Sequence, residues 1–92
     1  MSLFKELNEL DDNLHYRLTK MNTKNESTYG YRNGSQYTGT LEVITIGDET
    51  CIIINEGGYN WFRTSLIQKV TKINDCEFKI ESLNSIYKLE IL

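Results

Sequence analysis

The chain has 92 residues, 39% of them apolar and 25% charged, with a net charge of -3 and no proline. That length holds one hydrophobic core, and the ordinary balance of apolar and charged residues excludes disorder over most of it. Acids and bases alternate through Lys69, Lys72, Asp75, Glu77, Lys79 and Glu81, which excludes both the basic stripe that duplex DNA needs and the dense acidity of a nucleic-acid mimic.

In chain order, Met1 to Glu6 lacks the basic start and long apolar run of a secretion signal, and no stretch is long enough to span a membrane, so a cytoplasmic domain is expected. Leu3, Leu7, Leu10, Leu14, Leu18 and Met21 recur at intervals of three and four, which predicts a helix with Ser2 as N-cap. Asp11-Asp12-Asn13 are poor helix formers, so the helix is expected from Ser2 to about Asp12, with extension to Met21 as the longer form. Beyond them, Leu14, Tyr16 and Leu18 also fit the period of a strand. The leucine face has two uses: capping the chain's own core, or forming a homo-oligomer through Leu3, Leu7, Leu10 and Leu14.

Residues 22–36 are rich in small polar side chains and glycine and predict a loop. Strands and tight turns follow. Tyr37 to Ile46 carries Leu41 and Val43 on one face but Ile44 and Ile46 on the other, which predicts a bulge near Val43 and Ile44. Gly47-Asp48 turns into Cys51 to Asn55, expected to be the most buried strand, and Gly57-Gly58 turns into Tyr59 to Arg63. A short helical turn is expected at Thr64 to Ile67, then a strand to Ile73, a turn at Asn74-Asp75, and alternating strands that bury Phe78, Ile80, Tyr87, Leu89 and Ile91. The whole reads as a single mainly β (α+β) domain: an N-terminal helical segment (1–21), a polar Tyr/Gly loop (22–36) and a five- to six-stranded antiparallel small barrel (37–92).

The run Trp61-Phe62-Arg63-Thr64-Ser65-Leu66-Ile67-Gln68-Lys69-Val70, followed by Phe78 to Leu89 with its Asn84-Ser85-Ile86-Tyr87-Lys88-Leu89 end, resembles small SH3-like or Sm-like barrel proteins of phages and mobile elements. There a Thr-Ser pair precedes an apolar segment and an Asn-Ser-x-Tyr-x-Leu strand closes the sheet. The resemblance implies a phage-type accessory protein, a group that includes inhibitors of bacterial defence systems, some of which sequester nucleotide signals. The leucine-rich start and the Tyr-rich loop lie outside the shared pattern.

No catalytic machinery is expected. His15 is the single histidine, Cys51 and Cys76 have no spacing suited to zinc, and a pairing of Cys76 with His15 as nucleophile and base is weaker than ordinary packing roles for both. Asp48 and Asp75 sit in turns, and Gly57-Gly58 lacks the Lys-Ser or Lys-Thr of a phosphate loop. No metal or cofactor is expected. Binding is expected instead at Tyr29, Tyr31, Arg32 and Tyr37 of the loop, whose rings stack and whose guanidinium forks onto phosphate or carboxylate. A second stripe is expected at Tyr59, Trp61 and Arg63, although a single Trp in so small a domain is weighed slightly towards the core. The expected function is a non-enzymatic, phage-encoded inhibitor that sequesters a nucleotide or binds a host protein. The alternatives are a single-stranded nucleic-acid regulator and a structural adaptor.

Overall fold

A computed structural model describes residues 5–8, 10–11, 13–23 and 34–92. The elements are α1 (Lys5–Asn8), β1 (His15–Thr23), β2 (Gln36–Ile46), β3 (Glu49–Gly57), β4 (Asn60–Arg63), β5 (Ile67–Asn74), β6 (Glu77–Ser82) and β7 (Ser85–Ile91). All seven strands form one antiparallel sheet in the order β4-β3-β2-β1-β7-β6-β5. The chain is therefore mainly β, as its pattern predicts. Among the described residues no helix is long and apolar enough to cross a membrane.

The longer helix, to Met21, is not formed. The helix ends at Asn8, short of the expected Asp12, and Asp11 beyond it makes a local turn: its Oδ1 accepts the Asn13 N–H at 2.8 Å, and its carbonyl accepts the Leu14 N–H at 3.3 Å and the Tyr16 hydroxyl at 2.9 Å. These bonds draw on groups that a helix would use along its own axis, so the chain leaves the helix and enters β1. Tyr16 and Leu18 are then fully buried, as the strand period requires, while Leu14 and Met21 face solvent. Leu7 joins the core and Leu10 packs against it, so that part of the leucine face serves the chain's own interior; Leu3 lies outside the described residues.

The core lies inside the curled sheet and is built from alternate residues of its strands, among them Leu41, Ile52, Ile54, Phe62, Ile80 and Leu89. Phe62 stacks on Tyr37 with ring centroids 3.9 Å apart and planes 6° apart, and meets Tyr87 edge-on at 6.0 Å. The expected bulge near Val43 and Ile44 is absent. β2 and β3 stay in regular register from Thr40↔Asn55 to Ile46↔Glu49, so Ile44 and Ile46 remain on the outer face. The run Cys51 to Asn55 is likewise buried only on alternate residues: Ile52 and Ile54 point inward, and Cys51 and Ile53 are half-buried outside.

Six antiparallel pairings separate β4 from β5, which places both running in the same sense. No ladder joins them, so the sheet is unclosed. The link between them is not the helical turn the sequence suggests. Thr64 extends the β4 pairing, its N–H donating to the Ile52 carbonyl at 2.9 Å and its hydroxyl accepting the Ile52 N–H at 3.1 Å. Two residues later the Leu66 carbonyl accepts the Leu83 N–H at 2.9 Å, while the Ser65 hydroxyl accepts that of Asn84 at 3.3 Å. β4 and β5 are thus two halves of one bent run, the first bonded to β3 and the second to β6.

The Thr64 hydroxyl is buried and is the partner of a buried backbone donor. Thr64→Val is expected to strand the Ile52 N–H and lower stability by about 1–3 kcal/mol, while Thr64→Ser holds it. Urea unfolding of the two variants measures the difference; equal midpoints would remove the hydroxyl from the account.

Candidate functional site

The two faces of the sheet differ, and so do the two halves of its outer face. Across β1, β7 and β6 that face carries Arg17, Glu90, Glu77, Lys88 and Lys79, with an ion pair between Lys88 and Glu90 at 3.7 Å. Across β2, β3 and β4 it carries Ile44, Ile46, Cys51, Ile53 and Trp61, with Glu42, Glu49, Asn55 and Arg63 among them. A solvated sheet face alternates polar residues with the core, so the apolar half is the one that asks for an explanation.

Strand register orders this half into rows. Trp61 stands beside Asn55 and Thr40; Arg63 stands beside Ile53 and Glu42; Cys51 stands beside Ile44. Trp61 is 60% exposed and Tyr59, in the turn before β4, is 100% exposed. The indole is therefore on the surface, and the weighting towards a core Trp is corrected. β4 alternates, and Phe62 takes the inward position that a single large aromatic of this strand can fill.

Below these rows a cavity of about 320 Å³ opens between the β2–β3 hairpin, the Thr64–Leu66 link and the β6–β7 turn. Ile44, Ile46, Cys51, Leu66 and Leu83 wall it, and Arg63 and Glu49 bring the charges that line it. Its size is at the lower end for small-molecule pockets, and its walls are mainly apolar. Ile46 is 76% exposed beside it, and Leu83 is 52% exposed. Sequence reasoning missed this cavity because it took the change of phase between Val43 and Ile44 for a bulge. Two consecutive apolar pairs of opposite phase in one strand were the signal, read as a fold irregularity and not as a second apolar face.

The expected binding residues separate. Tyr29, Tyr31 and Arg32 lie outside the described residues. Tyr37 is half-buried with its ring on Phe62, which makes it part of the inner aromatic cluster. Tyr59, Trp61 and Arg63 are exposed, and Trp61 and Arg63 project from the same side of β4. The strand ends that flank residues 24–33, at Thr23 and Gly34, lie at the same end of the sheet as the Gly58-Tyr59 turn.

Cys51 is half-buried in the cavity wall and Cys76 is exposed in the β5–β6 turn; neither forms a disulfide. His15 opens β1, and its backbone carbonyl accepts the Leu92 N–H at 2.9 Å, while that of Cys76 accepts the Ile91 N–H at 2.8 Å. Both residues thus serve to seat the end of β7. Among the described residues no group of three or more His, Cys, Asp or Glu is placed to hold a metal ion. No protein-family model, curated protein or solved structure matches the chain.

Proposed function

We propose that the chain is a non-enzymatic binding protein that holds a protein partner at the end of the sheet where Tyr59 and Trp61 stand. In the phage-type reading that partner is a component of a bacterial defence system, and the curled sheet is a small SH3-like or Sm-like barrel. The observation that carries the proposal is the exposure of Trp61 and Tyr59 next to a core already filled by Phe62. Exposed Trp and Tyr with an adjacent Arg are the residue types that concentrate binding energy at protein interfaces. The motif segments that carry the phage-type resemblance meet at the Ser65–Asn84 bond, which supports a shared way of bending the sheet and leaves the aromatic surface free to differ.

A protein is favoured over a nucleotide by charge. Around Trp61 the described surface offers one cation, Arg63, against the carboxylates of Glu42 and Glu56. Phosphate groups would enter a field that is negative on balance, and a single strand of nucleic acid meets the same obstacle.

The test is retention by immobilised protein in extracts of a bacterium that a phage encoding the chain infects. The wild-type chain should hold a defined host protein, and the Tyr59→Ala/Trp61→Ala chain should hold it at least 30-fold more weakly, the loss of one strong aromatic anchor of about 2 kcal/mol. Equal retention by both chains would overturn the proposal. So would a cyclic nucleotide that the purified wild-type chain retains intact and releases on heating.

A further inference from the structure

We infer that a second copy of this chain covers the apolar outer face of β2 and β3, in a two-fold dimer whose axis lies over β3 and parallel to it. This goes beyond the partner site at Tyr59: it concerns the face centred on Ile53, which shares Arg63 with that site and has Trp61 one row away at its edge.

Arg63, Ile53 and Glu42 form one row on this face. These residues are direct neighbours across β4, β3 and β2. With strands about 4.8 Å apart, the cation and the carboxylate stand roughly 10 Å apart on either side of an isoleucine. Neither has an ion-pair partner among the described residues. A single patch that is positive on one side, apolar in the middle and negative on the other matches itself when turned over about the middle strand. A two-fold axis along β3 sets Arg63 of each copy on Glu42 of the other and Ile53 on Ile53. An axis across the strands would instead set Arg63 on Arg63 and Glu42 on Glu42, which like-charge repulsion disfavours. The row therefore favours an axis along β3 over one across the strands.

The rows below agree with that choice. Cys51, also on β3, lies on the axis and faces its own copy. Ile46, 76% exposed on β2, is carried across the axis to the side where Leu66 and Leu83 wall the cavity. Each copy thus lays its exposed Ile46 against the mouth of the other's recess, of which Ile46 itself forms one wall. An isologous interface needs that pairing, and no unrelated partner is required to explain it.

Sedimentation of the wild-type chain at micromolar concentration should give twice the mass of the chain. Glu42→Arg and Arg63→Glu should each weaken association at least 10-fold, and the double reversal should restore it. Far-ultraviolet circular dichroism confirms that each variant keeps its sheet. Packed sheets lie about 10 Å apart, too far for a direct disulfide between facing cysteines, so a short bismaleimide is the probe for the axis. It should link two copies of the Cys76→Ser chain and fail with Cys51→Ser. A monomer at all concentrations overturns the inference. So does a dimer that neither charge reversal weakens, or one that is linked through Cys76 alone. A chain that is monomeric yet still holds a host protein through Tyr59 sinks the dimer and leaves the proposed function standing.

Discussion

Phe62→Ala is expected to lower the free energy of unfolding by about 3–5 kcal/mol, whereas Trp61→Ala, one residue earlier, should change it by less than about 0.5 kcal/mol. The contrast follows from the alternation of a strand. Phe62 is 6% exposed, stacks on Tyr37 and meets Tyr87 edge-on, so removing its ring opens a void between β4, β2 and β7 that no backbone movement can close. Trp61 leaves most of its surface in water, and its truncation exposes little that was covered. A chain of this length has a total stability of about 5–14 kcal/mol, so the Phe62 loss consumes a large share of it. Denaturant titration of both variants reads the difference. A Trp61→Ala loss as large as that of Phe62→Ala would mean that the indole packs inward, and the binding surface proposed for it would be lost.

Gly39→Val should be as damaging, for a reason that involves no cavity. Gly39 lies in β2, and a Cβ built there would overlap the carbonyl oxygen and carbon of Asn55 in β3. The obstacle is backbone, which cannot swing aside as a side chain can. It stands where it does because the β3–β4 register shifts between Asn55 and Gly57, with the Asn55 Oδ1 accepting the Gly57 N–H at 2.9 Å. That bulge tilts β3 towards β2, and the absent side chain of Gly39 makes the room. Gly39→Ala is expected to lower stability by about 3 kcal/mol, the upper part of the range for forced overpacking, and Gly39→Val to leave little folded protein at 37 °C. Thermal unfolding measures both. A melting temperature for Gly39→Ala within a few degrees of wild type would show that the bulge relaxes at small cost.

Much of the sheet was legible in the sequence because its turns are spelled out. Gly47-Asp48, Asn74-Asp75 and Asn84-Ser85 mark hairpins that the structure contains, shifted by a residue or less, and the period-two runs around Phe78 and Tyr87 bury Phe78, Ile80, Tyr87 and Leu89 as predicted, with Ile91 only partly buried. β1 was ambiguous on physical grounds. Leu14, Tyr16 and Leu18 satisfy two periods at once, and the decision rests on whether the Asp11 carboxylate captures the Asn13 N–H, a choice that hydrophobic spacing does not encode. The outer face was read in part. Tyr59, Trp61 and Arg63 were found from composition and alternation. The change of phase at Ile44 and Ile46 was taken for a bulge and not for an apolar outer face, a reading that fails wherever a protein keeps an apolar surface for contact. Beyond that change of phase the cavity has no linear signature: Ile46, Leu66 and Leu83 come from three separate turns or links.

The bent run from Asn60 to Asn74 also bears on how the chain reaches this state. The hairpins that join β2 to β3 and β4, and β5 to β6 and β7, are assembled from near neighbours in the chain. Pairing Tyr16 with Ile91 is not, since it must close almost the whole polypeptide. Loop-closure entropy weighs on that last ladder, and until it forms the two meanders are tethered only at Thr64-Ser65-Leu66. The corner thus acts as a pivot during folding. It sets the angle at which two locally formed halves swing together, and loop-closure entropy makes the docking of β1 against β7 the expected slow closing step.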